Sequence, residues 1–298
     1  MRPAYAGTHR FAELVLDGLL ESRHRPVAVV TNPDRPRGRH GTPQAPAIRE
    51  VARRAGVPVL QPESASETQA VHALLATGAD VLVVCAYGQI LGKTLLDALP
   101  AIVVHPSLVP RWRGAAPVER ALMAGETRLG VTVLQMTPGV DEGPVGAVRE
   151  VEVPRDADAG RAYELLAAAA SEALLETLDS MDDGSISWVE QSGQPTSAAK
   201  IGPADRAIDW RRPAAQIADQ VRALSPHIGA VTELLGRRTV VWRAAPGQGE
   251  IPASPGAHRL IVPAGQGWLE VLELQQEGRK RLSAQDFLCG AGRSLARQ

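Results

Sequence analysis

The chain has 298 residues, of which 44% are hydrophobic and 22% charged, and its formal net charge is −1. This composition is typical of a globular protein of one or two domains, and it excludes collagen, coiled coil and extended disorder. The sequence contains no run of 18 apolar residues, so no membrane span is predicted. The first residues lack the apolar core of a secretory signal, and the two cysteines are too far apart in the sequence to indicate a disulfide or metal motif. A reducing cytoplasm is therefore the expected compartment.

Strand and helix patterns alternate over the first 150 residues. Short apolar and β-branched runs predict strands at residues 3–6, 26–31, 57–60, 81–85 and 101–105. Helical spacing of apolar residues occurs between them, as at Phe11, Val15 and Leu19. This order predicts an α/β fold of the Rossmann-like kind, with a mostly parallel sheet and helices on both sides.

A change of pattern divides the chain. After further strands at 131–136 and 147–153 and a helix at 162–178, residues 191–204 are rich in Ser, Gly, Pro and Thr and are predicted to form a linker. The predicted domains are therefore 1–190, which carries the candidate site, and 205–298.

The C-terminal domain has its own pattern. A helix is predicted from Pro213, with Ile217, Val221 and Leu224 on one face, followed by short strands at 239–242, 260–262 and 268–274. Short strands at this spacing predict a small β-barrel. Residues 205–298 contain 13 Arg and Lys against 9 Asp and Glu. This positive excess points weakly to an acidic partner, and an ordinary solvated surface remains the alternative.

The most informative segment runs from His105 to Pro117, with the sequence HPSLVPRWRGAAP. His105 ends an apolar strand, and ligands of open α/β sheets bind beyond the carboxyl ends of strands. An imidazole there suits proton transfer and donation to a developing negative charge. Asp141 lies in a turn after a later strand and could orient that ring. A structural histidine and a turn-forming aspartate are the alternatives. No metal site is predicted, because the histidines do not occur with cysteines or carboxylates at ligand spacing.

Several motifs together match one known family. They are, in chain order, Ala6 to Thr8, Asn32 to Arg39, Ala86 to Leu91, His105 to Pro117, Gly139 to Gly143, Lys200-Ile201, Ile208 to Trp210 and Arg222 to Pro226. With these motifs the chain resembles the methionyl-tRNA formyltransferase family over essentially its whole length. The resemblance implies a formyltransferase fold followed by an OB-like C-terminal β-barrel.

The resemblance implies a reaction and its residues. The family transfers a formyl group from 10-formyltetrahydrofolate to the amino group of methionine on initiator tRNA. By resemblance, His105 is the acid–base group and oxyanion donor, and Asp141 steadies it. The folate site is lined, by the same resemblance, by Ser107, Leu108, Val109 and Pro110.

The resemblance also implies a tRNA contact. The loop that carries Arg35, Arg37 and Arg39 matches the family's arginine-bearing loop at the acceptor stem, where phosphates attract guanidinium groups. A solvated basic turn is the alternative for this loop. The C-terminal barrel of the family holds tRNA, and family analogy favours a monomer. No membrane partner is expected.

One position departs from the family pattern in a way that affects the chemistry. The family has an asparagine two residues before the catalytic histidine, on the same face of the strand, and this chain has Val103. Valine cannot donate a hydrogen bond, and loss of one oxyanion donor typically costs about 10²–10³ in rate.

Three hypotheses follow from the sequence. The first is an active methionyl-tRNA formyltransferase, either at full rate or slowed by Val103. The second is a degenerate relative that binds tRNA or folate without turnover, which Val103 supports. The third is a formyl-folate transferase that acts on a small amine, which the C-terminal module argues against.

Overall fold

A computed structural model describes residues 1–36, 43–251 and 259–295. The chain forms two compact units. The N-terminal unit comprises Met1–Gly114, Arg128–Glu152 and Tyr163–Ser197, and the C-terminal unit comprises Ala115–Thr127, Val153–Ala162 and Ala198–Gln298. Each unit therefore draws on more than one stretch of sequence. The predicted boundary at 191–204 stays a prediction.

The N-terminal unit contains nine strands. They are β1 (Pro3–Gly7), β2 (Ala28–Val30), β3 (Arg35–Pro36), β4 (Pro43–Gln44), β5 (Val59–Leu60), β6 (Val81–Cys85), β7 (Ala101–His105), β8 (Arg128–Gln135) and β9 (Val145–Glu152). Its helices are α1 (Arg10–Leu20), α2 (Ala47–Arg54), α3 (Thr68–Leu75), α4 (Lys93–Ala98) and most of α6 (Ala159–Asp182). These counts cover the described ranges only.

The main sheet has the strand order β5-β2-β1-β6-β7-β8-β9. The first five strands are parallel, and β8 and β9 are antiparallel to their neighbours. Every residue of β1 and β6 is buried, as their apolar sequences require for central strands covered on both faces. The prediction of a mostly parallel Rossmann-like sheet is confirmed.

The C-terminal unit is built around an antiparallel sheet. Its elements are α5 (Pro117–Met123), α7 (Pro203–Arg206), α8 (Ala214–Leu224), β10 (Ala230–Leu234), β11 (Arg237–Gly247), β12 (Leu260–Pro263), β13 (Trp268–Gln276), β14 (Leu282–Ser283) and α9 (Ala284–Leu295). The strand order is β10-β11-β13-β12, with β14 also paired to β13. This arrangement is consistent with the predicted barrel-like domain.

Helix α8 packs on the C-terminal sheet with the face that the sequence predicts. Ile217, Val221 and Leu224 are buried together with Val241 and Val271 of the sheet. The apolar spacing of the helix therefore locates the core of this unit. Across the described ranges, none of the helices combines the length and apolar character needed to cross a membrane.

Candidate active site

His105 is the last residue of β7, between β6 and β8 in the main sheet. The strand forms because Ala101, Ile102 and Val104 are apolar and fill the core of the sheet. In the register of the antiparallel pair, His105 lies opposite Thr132 of β8. Its side chain is only 6% exposed, so the imidazole is held among protein groups.

Both ring nitrogens of His105 face oxygen atoms. Nδ1 lies 3.5 Å from Oδ2 of Asp141, and Nε2 lies 2.9 Å from the carbonyl oxygen of Trp112. Asp141 is itself only 13% exposed, and its Oδ2 accepts the Gly114 N–H at 2.8 Å. The two residues that the sequence analysis singled out therefore lie side by side. An imidazole in this position can donate a proton from either nitrogen.

The turn that carries Asp141 must fold back to reach His105. Because β8 is antiparallel to β7, its last residue, Gln135, lies opposite Ile102 at the beginning of β7. Asp141 adopts a left-handed backbone conformation, with φ of 52°, which aspartate tolerates better than most residues. Gly143 is required in this turn, because a Cβ there would overlap the carbonyl oxygen of Gln135.

Residues 112–114 hold both members of the pair. The Trp112 carbonyl faces His105, and the Gly114 N–H binds Asp141. Trp112 has a positive φ of 58°, which is costly for a bulky residue and is maintained by surrounding contacts. One such contact is its N–H, which donates to Thr196 Oγ1 at 2.9 Å. Arg113 forms an isolated parallel bridge with Ser197, which fixes the segment further.

The loop from Ser107 to Pro110 follows His105 directly. The Ser107 hydroxyl is buried and donates to the Arg111 carbonyl at 2.8 Å, so it braces the loop. Leu108 packs against Gly130, and a Cβ at position 130 would overlap the Leu108 side chain. Leu108, Val109 and Pro110 are half-buried, so part of each apolar side chain is exposed on the loop that follows the histidine. Their predicted role in lining a folate site stays a prediction.

Val103 lies on the same face of β7 as His105. It pairs with Leu134 of β8 and packs, half-buried, against a core cluster that includes Leu82 and Val84. The side chain of this residue therefore contributes packing to the site and no hydrogen bond.

The predicted arginine loop is described only in part. Arg35 lies in β3, which pairs antiparallel with β4, and its exposed side chain pairs with Glu63 at 2.6 Å. Arg37 and Arg39 lie outside the described residues. A cavity of about 420 Å³ is lined in part by Arg35, Asn32 and Gln89. His105 and Asp141 are not among its lining residues.

A polar network at the ends of β2 and β6 was not singled out as a site by the sequence analysis. Gln89 Nε2 donates to Asn32 Oδ1 at 2.8 Å, and Gln89 Oε1 accepts the Ala65 N–H at 2.8 Å. The Asn32 amide in turn donates to the Tyr87 carbonyl. Asn32 and Gln89 both occur in motifs shared with the family, and these motifs were the sequence signal that could have indicated the network.

The C-terminal sheet has a basic end. Strand β11 begins at Arg237, and the turn between β13 and β14 contains Arg279 and Lys280. The two segments are neighbours, because the Glu277 N–H donates to the Arg238 carbonyl at 3.0 Å. Arg238 pairs with Glu277, whereas Arg237, Arg279 and Lys280 are exposed and make no ion pair with another described residue.

Two family models match the chain. The model described as formyl transferase matches residues 1–178, and the model described as formyl transferase, C-terminal domain, matches residues 200–292. The fold is thus that of a formyl transferase. A methionyl-tRNA formyltransferase of Symbiobacterium thermophilum is 40% identical over 97% of this chain and 92% of its own length. The corresponding protein of Anaeromyxobacter dehalogenans is 41% identical over 100% and 99% of the two lengths. The chain belongs to the methionyl-tRNA formyltransferase family.

Solved structures show the same fold at low sequence identity. A methionyl-tRNA formyltransferase from Clostridium thermocellum has a TM-score of 0.60 and 14% identity, over 85% of this chain and 97% of its own. An N-formyltransferase from Helicobacter canadensis, in complex with folinic acid and dTDP-3-aminofucose, has a TM-score of 0.67 and 14% identity, over 93% and 99%. HypX from Aquifex aeolicus, in complex with tetrahydrofolic acid, has a TM-score of 0.69 and 19% identity, over 97% and 47%.

Proposed function

We propose that this chain transfers a formyl group from 10-formyltetrahydrofolate to the amino group of methionyl initiator tRNA in the cytoplasm, with His105 and Asp141 as catalytic residues. The observation that carries the proposal is the 3.5 Å approach of His105 to Asp141 in a chain of this family. Full-length identity to proteins named for methionyl-tRNA favours this acceptor over a small amine.

His105 has the position and the partners for proton transfer. The attacking amine loses a proton and the departing nitrogen gains one, which are tasks for a single acid–base group. Because Asp141 faces Nδ1, Nε2 is the nitrogen left for the substrate. We expect Nε2 to exchange its bond with the Trp112 carbonyl for one to the reacting groups. Nε2 accepts the proton of the attacking amine, and the N–H formed in this way can stabilise the negative charge on the formyl oxygen before it protonates the departing nitrogen.

The residues after His105 fit a folate. The co-substrate supplies the formyl group, and its flat ring system needs apolar surface. Leu108, Val109 and Pro110 offer such surface, and the hydrogen bond from the Ser107 hydroxyl to the Arg111 carbonyl stabilises their loop. Ile90 is an exposed apolar side chain on the loop after β6, in a segment that matches the family.

The basic end of the C-terminal sheet fits a nucleic-acid backbone. Arg237, Arg279 and Lys280 are exposed, and phosphate contacts by such groups do not depend on base sequence. Arg35 could add a contact near its cavity, although it now pairs with Glu63. A monomer remains the expectation from family analogy.

A formyl-transfer assay with charged initiator tRNA and 10-formyltetrahydrofolate tests the proposal. We expect His105→Ala to lower kcat by about 10²–10⁴, the usual contribution of general acid–base catalysis. His72→Ala is the matched control, because His72 is exposed on α3, and it should retain the rate of the unchanged chain. An unchanged rate in the His105 variant would exclude it as the acid–base group.

One observation favours a second candidate function, a relative that binds tRNA or folate without turnover. Val103 supplies no donor beside His105 and packs in an apolar cluster. If a donor is what limits the rate, Val103→Asn should raise kcat by up to about 10²–10³. Val103→Ala removes the same packing without adding a donor and serves as its control. Binding of both substrates with no turnover in the unchanged chain would support this second function.

A further inference from the structure

Gln191 lies next to the turn that carries Asp141 and bonds to its backbone. Its Nε2 donates to the carbonyl oxygens of both Asp141 and Gly143, each at 2.8 Å. These two bonds use both N–H groups of the side-chain amide. The two accepting carbonyls lie on either side of the residue that follows Asp141, so the bonds fix the local shape of the turn.

The turn needs an anchor of this kind. Asp141 has a positive φ, and Gly143 cannot be replaced by a residue with a side chain because of the Gln135 carbonyl. A strained conformation persists only where surrounding contacts determine it. The Asp141 carboxylate reaches His105 and the Gly114 N–H only if its backbone stays in this conformation.

Arg113 fixes the orientation of the Gln191 amide. Its Nε and Nη2 donate to Gln191 Oε1 at 3.1 and 2.7 Å, which leaves Nε2 directed at the turn. Arg113 Nη1 also approaches Glu142 Oε1 at 3.3 Å. Arg113 lies between Trp112 and Gly114, the two residues that contact His105 and Asp141. Arg113 therefore connects the segment that contacts His105 and Asp141 with the turn that carries Asp141.

We propose that Gln191 is a positioning residue for formyl transfer: it holds the Asp141 turn so that the carboxylate faces His105. This inference rests on the proposed function of that pair. Nothing in the sequence pattern indicates it, since Gln191 lies 50 residues beyond Asp141, in a segment predicted as a linker.

Three variants separate this role from its alternatives. Gln191→Ala removes both the donors and the acceptor. Gln191→Glu keeps an acceptor for Arg113 but cannot donate to two carbonyl oxygens, so the turn loses its anchor while Arg113 keeps its partner. Gln194→Ala is the matched control, because Gln194 is exposed in the same segment.

We expect kcat to fall by about 10- to 100-fold in both Gln191 variants, as for a catalytic group displaced by a fraction of an ångström to 1 Å. KM for each substrate should change by less than about threefold, because the binding surfaces are left in place. Hydrogen exchange at the Gly114 amide should rise in both, since its acceptor is the Asp141 carboxylate. The Gln194 variant should match the unchanged chain in all three measurements.

Two results would overturn the inference. A Gln191→Glu variant with the rate of the unchanged chain would show that contact with Arg113, and not donation to the turn, is what matters. An unaltered Gly114 exchange rate would show that Asp141 does not depend on Gln191. If the unchanged chain itself transfers no formyl group, the proposed function fails, whereas Gly114 exchange still decides whether Gln191 holds the turn.

Discussion

The candidate active site and the basic end of the C-terminal sheet use charge in opposite ways. At the active site, His105 and Asp141 are almost fully buried, and each has defined partners within 3.5 Å. At the basic end, Arg237, Arg279 and Lys280 extend into solvent. The function proposed for the active site depends on the positions of single atoms. The function proposed for the basic end depends on the number of charges.

This difference determines how each region tolerates substitution. A buried polar group that loses its partner pays the full cost of desolvation, and a displaced catalytic group loses its reaction geometry. An exposed cation that binds phosphate supplies one of several contributions to the binding free energy, and the other cations still contribute when it is removed. We therefore expect single changes to be severe at the site and several combined changes to be needed at the basic end.

Among the substitutions that test this comparison, Asp141→Asn is expected to have the largest effect. The variant keeps an oxygen that can accept the Gly114 N–H but removes the negative charge beside His105, so kcat should fall by about 10²-fold in the formyl-transfer assay. Asp97→Asn removes a carboxylate from exposed helix α4 and is the control. Equal rates for the two variants would mean that the Asp141 charge does not serve the reaction.

A smaller effect is expected when three cations at the basic end are removed together. Replacing Arg237, Arg279 and Lys280 by alanine should raise KM for tRNA by about tenfold. It should also reduce the steepness with which log affinity falls against log salt concentration, by about 2 to 3. The rate at saturating tRNA should hold, because the catalytic pair is unchanged. A control variant removes the same charge from exposed arginines elsewhere, namely Arg53, Arg54 and Arg128. If this control behaves in the same way, net charge and not a defined surface is responsible.

Two buried tyrosines extend the comparison to hydroxyl groups. The Tyr5 hydroxyl donates to the Ala12 carbonyl at 2.8 Å, whereas the Tyr87 hydroxyl has no partner among the described residues. Burial raises the pKa of Tyr87 to about 12, so the group stays protonated at neutral pH. Denaturant unfolding should show that Tyr5→Phe lowers the free energy of unfolding by about 1–2 kcal/mol. Tyr87→Phe should leave it unchanged or raise it, and a loss as large as that of Tyr5→Phe would reveal a missed partner.

The smallest effect concerns an ion pair in the C-terminal unit and its dependence on pH. Bonds from the Arg120 guanidinium and the Gly202 N–H hold the pKa of Asp205 below its usual value. A depressed carboxyl pKa stabilises the fold above the unfolded-state pKa, and this contribution is lost as the pH falls through the folded-state pKa. Asp205→Ala should therefore lower the free energy of unfolding by about 1 kcal/mol at pH 7 and by nothing once the pH lies below both values.

Asp209 provides the control for this last prediction. Its pKa is lowered to about 2, mainly by a hydrogen bond from Arg211. The Arg211 side chain is 91% exposed, however, so water and salt screen the pair, and we expect Asp209→Ala to have a smaller effect. A larger loss in Asp209→Ala than in Asp205→Ala would contradict this ranking by exposure.

Sequence periodicity predicted the central strands closely and missed several short elements. Strands β6 and β7 have the predicted bounds, because continuous apolar runs of five residues are typical of strands buried on both faces. Strand β10 and helices α4, α5 and α9 were not predicted. Strand β10 and helices α4 and α5 are short, and α9 contains Gly290 and Gly292, so the local sequence indicates these elements only weakly.

The two members of the candidate site differ in how far the sequence could place them. His105 could be assigned to a strand end because its strand is apolar up to that residue. The distance from His105 to Asp141 could not be predicted, since β8 is antiparallel and its turn must return along β7. The contribution of Gln191 was out of reach for the same reason, as its partners come from a turn 48 and 50 residues earlier.

The sequence by itself determined the order of the main strands and helices of the large sheet, the family, and the residue types available for proton transfer. These depend on periodicity and motif, which are local properties of a chain. The tertiary structure alone decided which acceptors surround the imidazole and which backbone carbonyls Gln191 binds. It also decided where Arg237, Arg279 and Lys280 come together without an ion-pair partner among the described residues. Those features arise from contacts between segments far apart in the chain, and their geometry is set by packing in three dimensions.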